Sequence, residues 1–158
     1  MLRKILLIAA LFFAATAQAQ VRTGQAVPPF DTKLLDGKAL GAEALKGKVL
    51  LVVFWASWCP TCQKELPQLQ ALYEKHRDKG FEILGLSIDA DRFTVEEFWK
   101  DHDYAFPVAM RAPAHAQVFG PIKAIPALYL VDRKGVLRFA RIGGIGKDKL
   151  EAQLLPLL

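Results

Sequence analysis

Two cysteines, Cys59 and Cys62, are the chain's only thiols, and they stand three positions apart as Cys59-Pro60-Thr61-Cys62. A crosslink closing so small a loop removes little freedom from the unfolded chain, so it is a poor staple for a domain. The pair is better explained by its reactivity. Disulfide exchange needs a thiolate that can reach a disulfide sulfur. Such a thiolate is favoured at an exposed helix start, where unpaired backbone N–H groups and the positive end of the helix dipole face it. That reasoning names Cys59 as the attacking thiol. Cys62, about one helical turn further in, is placed to resolve the mixed disulfide. Pro60 suits a first helical turn, where a missing N–H costs little. Thr61 keeps a backbone donor near Cys59 that a proline there would lack. Glu65 is either a solvated acid near the helix start or, if buried near Cys62, a relay for the second proton. An inert structural or metal-binding dithiol is the bland alternative for the pair.

The surrounding pattern supplies the elements that such a site needs. Val49 to Trp55 is an unbroken apolar run rich in β-branched and aromatic residues, which predicts a strand buried on both faces. After the cysteines, Leu66, Leu69, Leu72, Tyr73 and His76 recur at helical spacing, predicting a helix from about Cys59 to Lys79 that Pro67 should kink and Gly80 should end. A Cys-x-x-Cys between a buried strand and a helix start is the context of a redox motif.

Upstream, Pro28-Pro29 excludes helix, and Phe30 to Leu40 reads as a small hairpin turning at Asp36-Gly37. A single helical turn is expected over Ala42 to Leu45. Downstream, Phe81 to Asp89 predicts a strand, and Thr94 with Glu97 a capping box for a helix through His102. Phe106 to Met110 reads as extended and Ala114 to Phe119 as a short helix. Ala127 to Asp132 and Val136 to Ile142 make a hairpin around Arg133-Lys134-Gly135, and Lys147 to Leu157 a final amphipathic helix. Helix-linked strands pair in parallel and hairpins antiparallel, so the fold class is α/β: a mixed central β-sheet flanked by helices, with an N-terminal β-hairpin extension.

The 158 residues suggest one domain with an ordinary core. Arg3 and Lys4, the apolar stretch Ile5 to Ala15, and Ala17-Gln18-Ala19 have the layout of a secretory signal peptide, expected over 1–19 with the domain at 20–158. The apolar stretch falls short of the ~20 residues a membrane span needs, which favours cleavage over an anchor. Export to the periplasm is the expected localisation. The formal charge of +5 falls to +3 without Arg3 and Lys4, and the remaining basic residues are scattered among acids. Nucleic-acid binding is thereby disfavoured. His76, His102 and His115 are far apart in sequence, and read as surface or core residues rather than ligands.

Trp55-Ala56-Ser57-Trp58-Cys59-Pro60-Thr61-Cys62, continued by Gln63-Lys64-Glu65-Leu66-Pro67, resembles the active-site block of thioredoxin-like folds. It is most similar to exported TlpA/ResA-type thiol–disulfide oxidoreductases, and its Cys-Pro-Thr-Cys to DsbE-type proteins of cytochrome c maturation. Ile125-Pro126-Ala127-Leu128-Tyr129-Leu130-Val131-Asp132 resembles the cis-proline loop and following strand of that group. The resemblance spans roughly Gln25 to Leu158. It implies a cis Pro126 beside the dithiol, with the backbone of Ile125 free to pair with an extended substrate and Trp58 shaping the rim. It also matches Glu65 to a glutamate that influences cysteine ionisation in ResA-type proteins. The chain departs from thioredoxin at Val53, where a buried acid stands, and from the common pattern at Ala124 and Ala127, in place of glycine and threonine.

The resemblance thus implies a disulfide reductase working through a mixed disulfide. It needs no cofactor or metal and acts as a monomer on oxidised proteins such as apocytochrome c. Its electrons would come from a membrane thiol–disulfide transporter. Three other functions compete. A peroxidase would want a Pro-x-x-x-Thr-x-x-Cys pattern, but Val52 and Ala56 stand at those places. A copper or zinc chaperone of this fold commonly has a Cys-x-x-x-Cys spacing, one residue longer. A DsbA-like disulfide donor carries a helical insertion, whereas Asp89 to Phe106 has room for one helix.

Overall fold

The computed structural model describes residues 20–158, so the expected signal peptide lies outside the described residues. A five-stranded mixed sheet forms the centre, in the order β5-β4-β3-β6-β7. The strands are β3 (Val49–Trp55), β4 (Phe81–Ser87), β5 (Val108–Met110), β6 (Ala127–Val131) and β7 (Leu137–Ile142). β3, β4 and β5 run parallel, whereas β3–β6 and β6–β7 are antiparallel. A separate two-stranded hairpin, β1 (Thr32–Lys33) with β2 (Ala39–Leu40), precedes them. This is the mixed sheet, flanking helices and N-terminal hairpin that the sequence pattern implies.

β3 is the central strand, and every one of its seven residues is buried. Because side chains alternate along a strand, its two faces feed two cores. Val49, Leu51, Val53 and Trp55 join Leu66, Leu69 and Leu72 of α2 (Pro60–His76), with Leu150 and Leu154 of α5 (Lys147–Leu154). Leu50, Val52 and Phe54 join Phe30, Tyr129, and Val118 and Phe119 of α4 (Pro113–Phe119). The Phe54 and Phe119 rings meet edge to face at 5.6 Å. α2 is thus pressed against the sheet by a leucine stripe, which leaves its first turn at the end of the sheet where β3 stops.

Local chemistry moved several boundaries. α2 continues through Pro67 and stops at His76; Arg77–Lys79 tightens into a 3-10 turn before Gly80, whose φ of +82° closes the helix. The helix α3 (Arg92–Asp101) begins earlier than the Thr94 box predicted, because Asp91 is the N-cap and its carboxylate accepts from the Thr94 N–H at 2.9 Å. The hairpin turn is also wider than a two-residue Asp-Gly turn. Leu34 still donates to the Lys38 carbonyl, leaving Leu35-Asp36-Gly37 as a three-residue loop with Gly37 at φ +85°. α1 (Ala42–Leu45) is the expected single turn, and Pro156 shortens the last helix to Leu154 before a 3-10 turn over Leu155–Leu157.

His115 joins the hairpin to the rear core. Its imidazole sits at the third position of α4, and its Nδ1 accepts from the Ala112 N–H at the N-cap at 2.9 Å. The other nitrogen, Nε2, must then carry the proton and donate to Thr32 Oγ on β1 at 2.9 Å. Burial, reinforced by Arg111, lowers the pKa of His115 to about 4.

Candidate active site

Cys59 is the N-cap of α2, held where β3 ends and the Ala56-Ser57-Trp58 turn begins. Its backbone N–H donates to the Ala56 carbonyl at 3.2 Å, and its Sγ accepts from the Cys62 N–H at 3.2 Å. Cys59 and Cys62 are joined as a disulfide, with Cα atoms 5.2 Å apart. The sequence pattern places Cys59 at an exposed helix start, yet it is 6% exposed and Cys62 only 1%. The neighbouring indole, by contrast, is 62% exposed at Trp58. Of the two cysteines, Cys59 is the more exposed.

The turn that presents Trp58 and Cys59 is fixed by a carboxylate that sequence reasoning missed. Asp89, just past β4, accepts from the Ser57 N–H at 3.0 Å, from Ser57 Oγ at 2.6 Å, and from Ser87 Oγ at 2.6 Å. Its own N–H donates to Ser87 Oγ at 3.0 Å. Three donors on one carboxylate tie together the ends of β3 and β4, at the turn that leads into Cys59. The Gln63 side chain adds a bond to the Ser57 carbonyl. Ser-x-Asp at the end of a strand, opposite a serine before the cysteines, was the available signal, but only the parallel pairing of Trp55 with Ser87 brings the parts together.

Pro126 reaches the same end of the sheet because β6 runs antiparallel to β3, pairing Ala127 with Phe54. The Ile125–Pro126 bond is cis, as the resemblance implies. The Pro126 carbonyl accepts from the Gly143 N–H at 2.8 Å, so this loop is tied to the segment that follows β7. Ile125 is half-buried and touches both cores.

Glu65 is buried, at 4% exposure, and not a solvated acid. It lies one turn beyond Cys62 on the inward face of α2, where residues three apart are neighbours. Its Oε1 accepts from the Ile145 N–H at 3.1 Å. Val53 on β3 carries no carboxylate, whereas Glu65 on α2 stands three residues beyond Cys62.

The three histidines are not brought together. His76 and His115 are buried on α2 and α4, while His102 is exposed after α3. Among the described residues no group of three or more His, Cys, Asp or Glu side chains could hold a metal ion.

A buried strand leading to a Cys-x-x-Cys helix cap, faced by a cis-proline loop, agrees with a family pattern that matches residues 22–154 under the description Redoxin. The chain belongs to the Redoxin family. A similar protein is the "Thiol-disulfide oxidoreductase ResA" of Bacillus cereus, 34% identical over 143 residues, covering 90% of this chain and 82% of that one. The "Sporulation thiol-disulfide oxidoreductase A" of Bacillus subtilis is 27% identical over 143 residues, covering 89% and 86%. Among solved structures, a putative thiol:disulfide interchange protein DsbE from Chlorobium tepidum superposes with a TM-score of 0.78 at 27% identity, covering 87% of this chain and 99% of that one. The fold is thioredoxin-like, and this Redoxin-family chain is an enzyme of the thiol–disulfide oxidoreductase class.

Proposed function

We propose that the protein is an exported disulfide reductase in which Cys59 attacks and Cys62 resolves. The observation that carries this reading is the placement of Cys59 Sγ at the N-cap of α2, accepting the Cys62 N–H at 3.2 Å. In the reduced form that donor and the helix dipole favour the Cys59 thiolate over the thiol. The thiolate attacks one sulfur of a client disulfide. A new S–S bond forms to Cys59, and the client's other sulfur leaves as a thiolate that takes a proton from solvent. The Cys62 thiol then gives up its proton and attacks Cys59 Sγ. The mixed disulfide breaks, the second client sulfur is released, and the Cys59–Cys62 disulfide remains. The client gains two electrons and the protein loses two, to be restored by an external dithiol, which is itself oxidised to a disulfide.

Glu65 is the carboxylate placed to take the Cys62 proton, since both lie buried one helical turn apart. Trp58 forms the rim, and Ile125 and Pro126 the opposite wall against which an extended client strand lies. The leader-like pattern of 1–19 supports export to the periplasm. There, oxidised envelope proteins such as apocytochrome c are the clients and a membrane thiol–disulfide transporter the donor. No helix among the described residues is long and apolar enough to cross a membrane.

Redox titration of the Cys59–Cys62 couple against glutathione tests the direction. A potential near ~−270 mV, as for thioredoxin, supports a reductant, and one near ~−120 mV, as for DsbA, reverses the assignment.

A further inference from the structure

Glu65 is held from the far end of the chain. The segment that links β7 to α5, Gly143 to Gly146, crosses over it and is tied at two points, with a third at the first residue of α5. Gly143 N–H donates to the Pro126 carbonyl at 2.8 Å, Ile145 N–H to Glu65 Oε1 at 3.1 Å, and Lys147 N–H to Gln68 Oε1 at 2.7 Å. One segment therefore grips the cis-proline loop, the buried acid and the next turn of α2.

Gly144 sits against the other carboxylate oxygen. A Cβ at this position would stand 2.8 Å from Glu65 Oε2 and 3.2 Å from Thr61 Cγ2. Its neighbours Gly143 and Gly146 have φ of +87° and +79°, which only glycine adopts easily, but Gly144 is not among the positive-φ residues. Backbone conformation thus permits any residue at 144. What a side chain there would meet first is the Glu65 carboxylate, which would have to move, and then the Thr61 methyl.

We infer that Gly144 is a positioning residue, whose missing side chain lets the segment close on Glu65 and hold its buried carboxylate in one place, one helical turn from Cys62. The inference rests on the reading of Glu65 as proton acceptor. With Ile145 N–H on one oxygen and the bare Cα of Gly144 against the other, the carboxylate has one seat. Alanine at 144 pushes it out of that seat by a few tenths of an ångström or forces the segment open. Misplacement of a reacting group by ~1 Å can lower a rate ~100-fold, so a shift of this size is expected to lower it about tenfold.

The test is a double-mutant cycle on the resolving step, read as single-turnover release of reduced client from its mixed disulfide with Cys59. Gly144→Ala is expected to slow this step about tenfold while the KM for a disulfide client stays within twofold. Glu65→Gln, which keeps the size of the side chain, is expected to slow it at least as much, and adding Gly144→Ala to Glu65→Gln is expected to slow it no further. If Gly144→Ala resolves at the wild-type rate, or exerts its full effect again in the Glu65→Gln background, the positioning role is overturned and the role of Glu65 stands. If Glu65→Gln resolves at the wild-type rate, the proton-acceptor reading itself falls, and this inference with it. Should Gly144→Ala fail to fold, Gly144→Ala with Thr61→Ser, which clears the second close contact, is judged by the same criteria.

Discussion

His115 makes the fold sensitive to mild acid in a way that can be calculated. Its Nδ1 accepts the Ala112 N–H, its Nε2–H is committed to Thr32, and the ring is 1% exposed. Protonation would put a second hydrogen against the Ala112 N–H, and burial makes a charged imidazole unfavourable. The pKa therefore falls from 6.5 to about 4, burial being the larger cause and Arg111 the smaller. The folded form binds fewer protons than the unfolded chain between these values, so stability is fully present above about pH 6.5 and falls as pH drops towards 4. Over the whole window the loss is about 3 kcal/mol, and about 2.5 kcal/mol of it occurs between pH 7 and 4.5. Urea unfolding of the oxidised protein at pH 7, 6, 5 and 4.5 measures this directly. His115→Asn keeps an acceptor at the third helical position but does not titrate there, and its stability is expected to change by about 2.5 kcal/mol less over the same range. If wild type and His115→Asn lose stability in parallel, the assignment of this pH dependence to His115 is wrong.

Three further outcomes follow from the geometry. Asp89→Ala strands the Ser57 N–H and two hydroxyl donors, and is expected to destabilise the protein by about 2–3 kcal/mol in urea unfolding and to slow reduction of a small disulfide. Leu69→Ala, at the buried contact of α2 with the sheet, is expected to destabilise by about 3 kcal/mol through the cavity it leaves. Glu151, paired with Lys75 at 2.8 Å and His76 at 2.6 Å, has its pKa lowered to about 2, with Lys75 and then His76 as the causes. Its folded pKa is depressed, so its contribution is present above about pH 4.5 and disappears as pH falls towards 2. Glu151→Gln should lose stability at pH 6 and flatten the acid limb below pH 4.5.

What could be read in the sequence was local. β3 announced itself as seven apolar residues in a row, and α2 as a leucine stripe beginning at a Cys-Pro pair. Both signals are carried by near neighbours, and together they locate the dithiol. The parts that needed the fold are those whose partners are distant in the chain. Asp89 meets Ser57 across 32 positions, and Glu65 meets Ile145 across 80. Nothing near Glu65 says that a glycine from the far end of the chain will cover it, which is why a solvated acid and a buried relay were equally consistent with its position. The Asp91 cap was missed for another reason. Two acceptors compete within four residues, and the carboxylate rather than the Thr94 hydroxyl captures the helix N–H groups. The near-complete burial of Cys59 was likewise hidden, because it depends on segments that only the fold brings to the end of β3, the Ile125-Pro126 loop before β6 among them.

The division of labour between the two cysteines is tested most directly by trapping. Reduced Cys62→Ser and Cys59→Ser variants are each mixed with an oxidised protein client, quenched with acid, and analysed by intact mass. Cys62→Ser is expected to accumulate a stable mixed disulfide through Cys59, because Cys59 is the more exposed residue of the pair and no second thiol remains to resolve it. Cys59→Ser, left with the buried Cys62 alone, is expected to form almost none. An adduct that forms equally well, or faster, through Cys62 would contradict Cys59 as the attacking thiol.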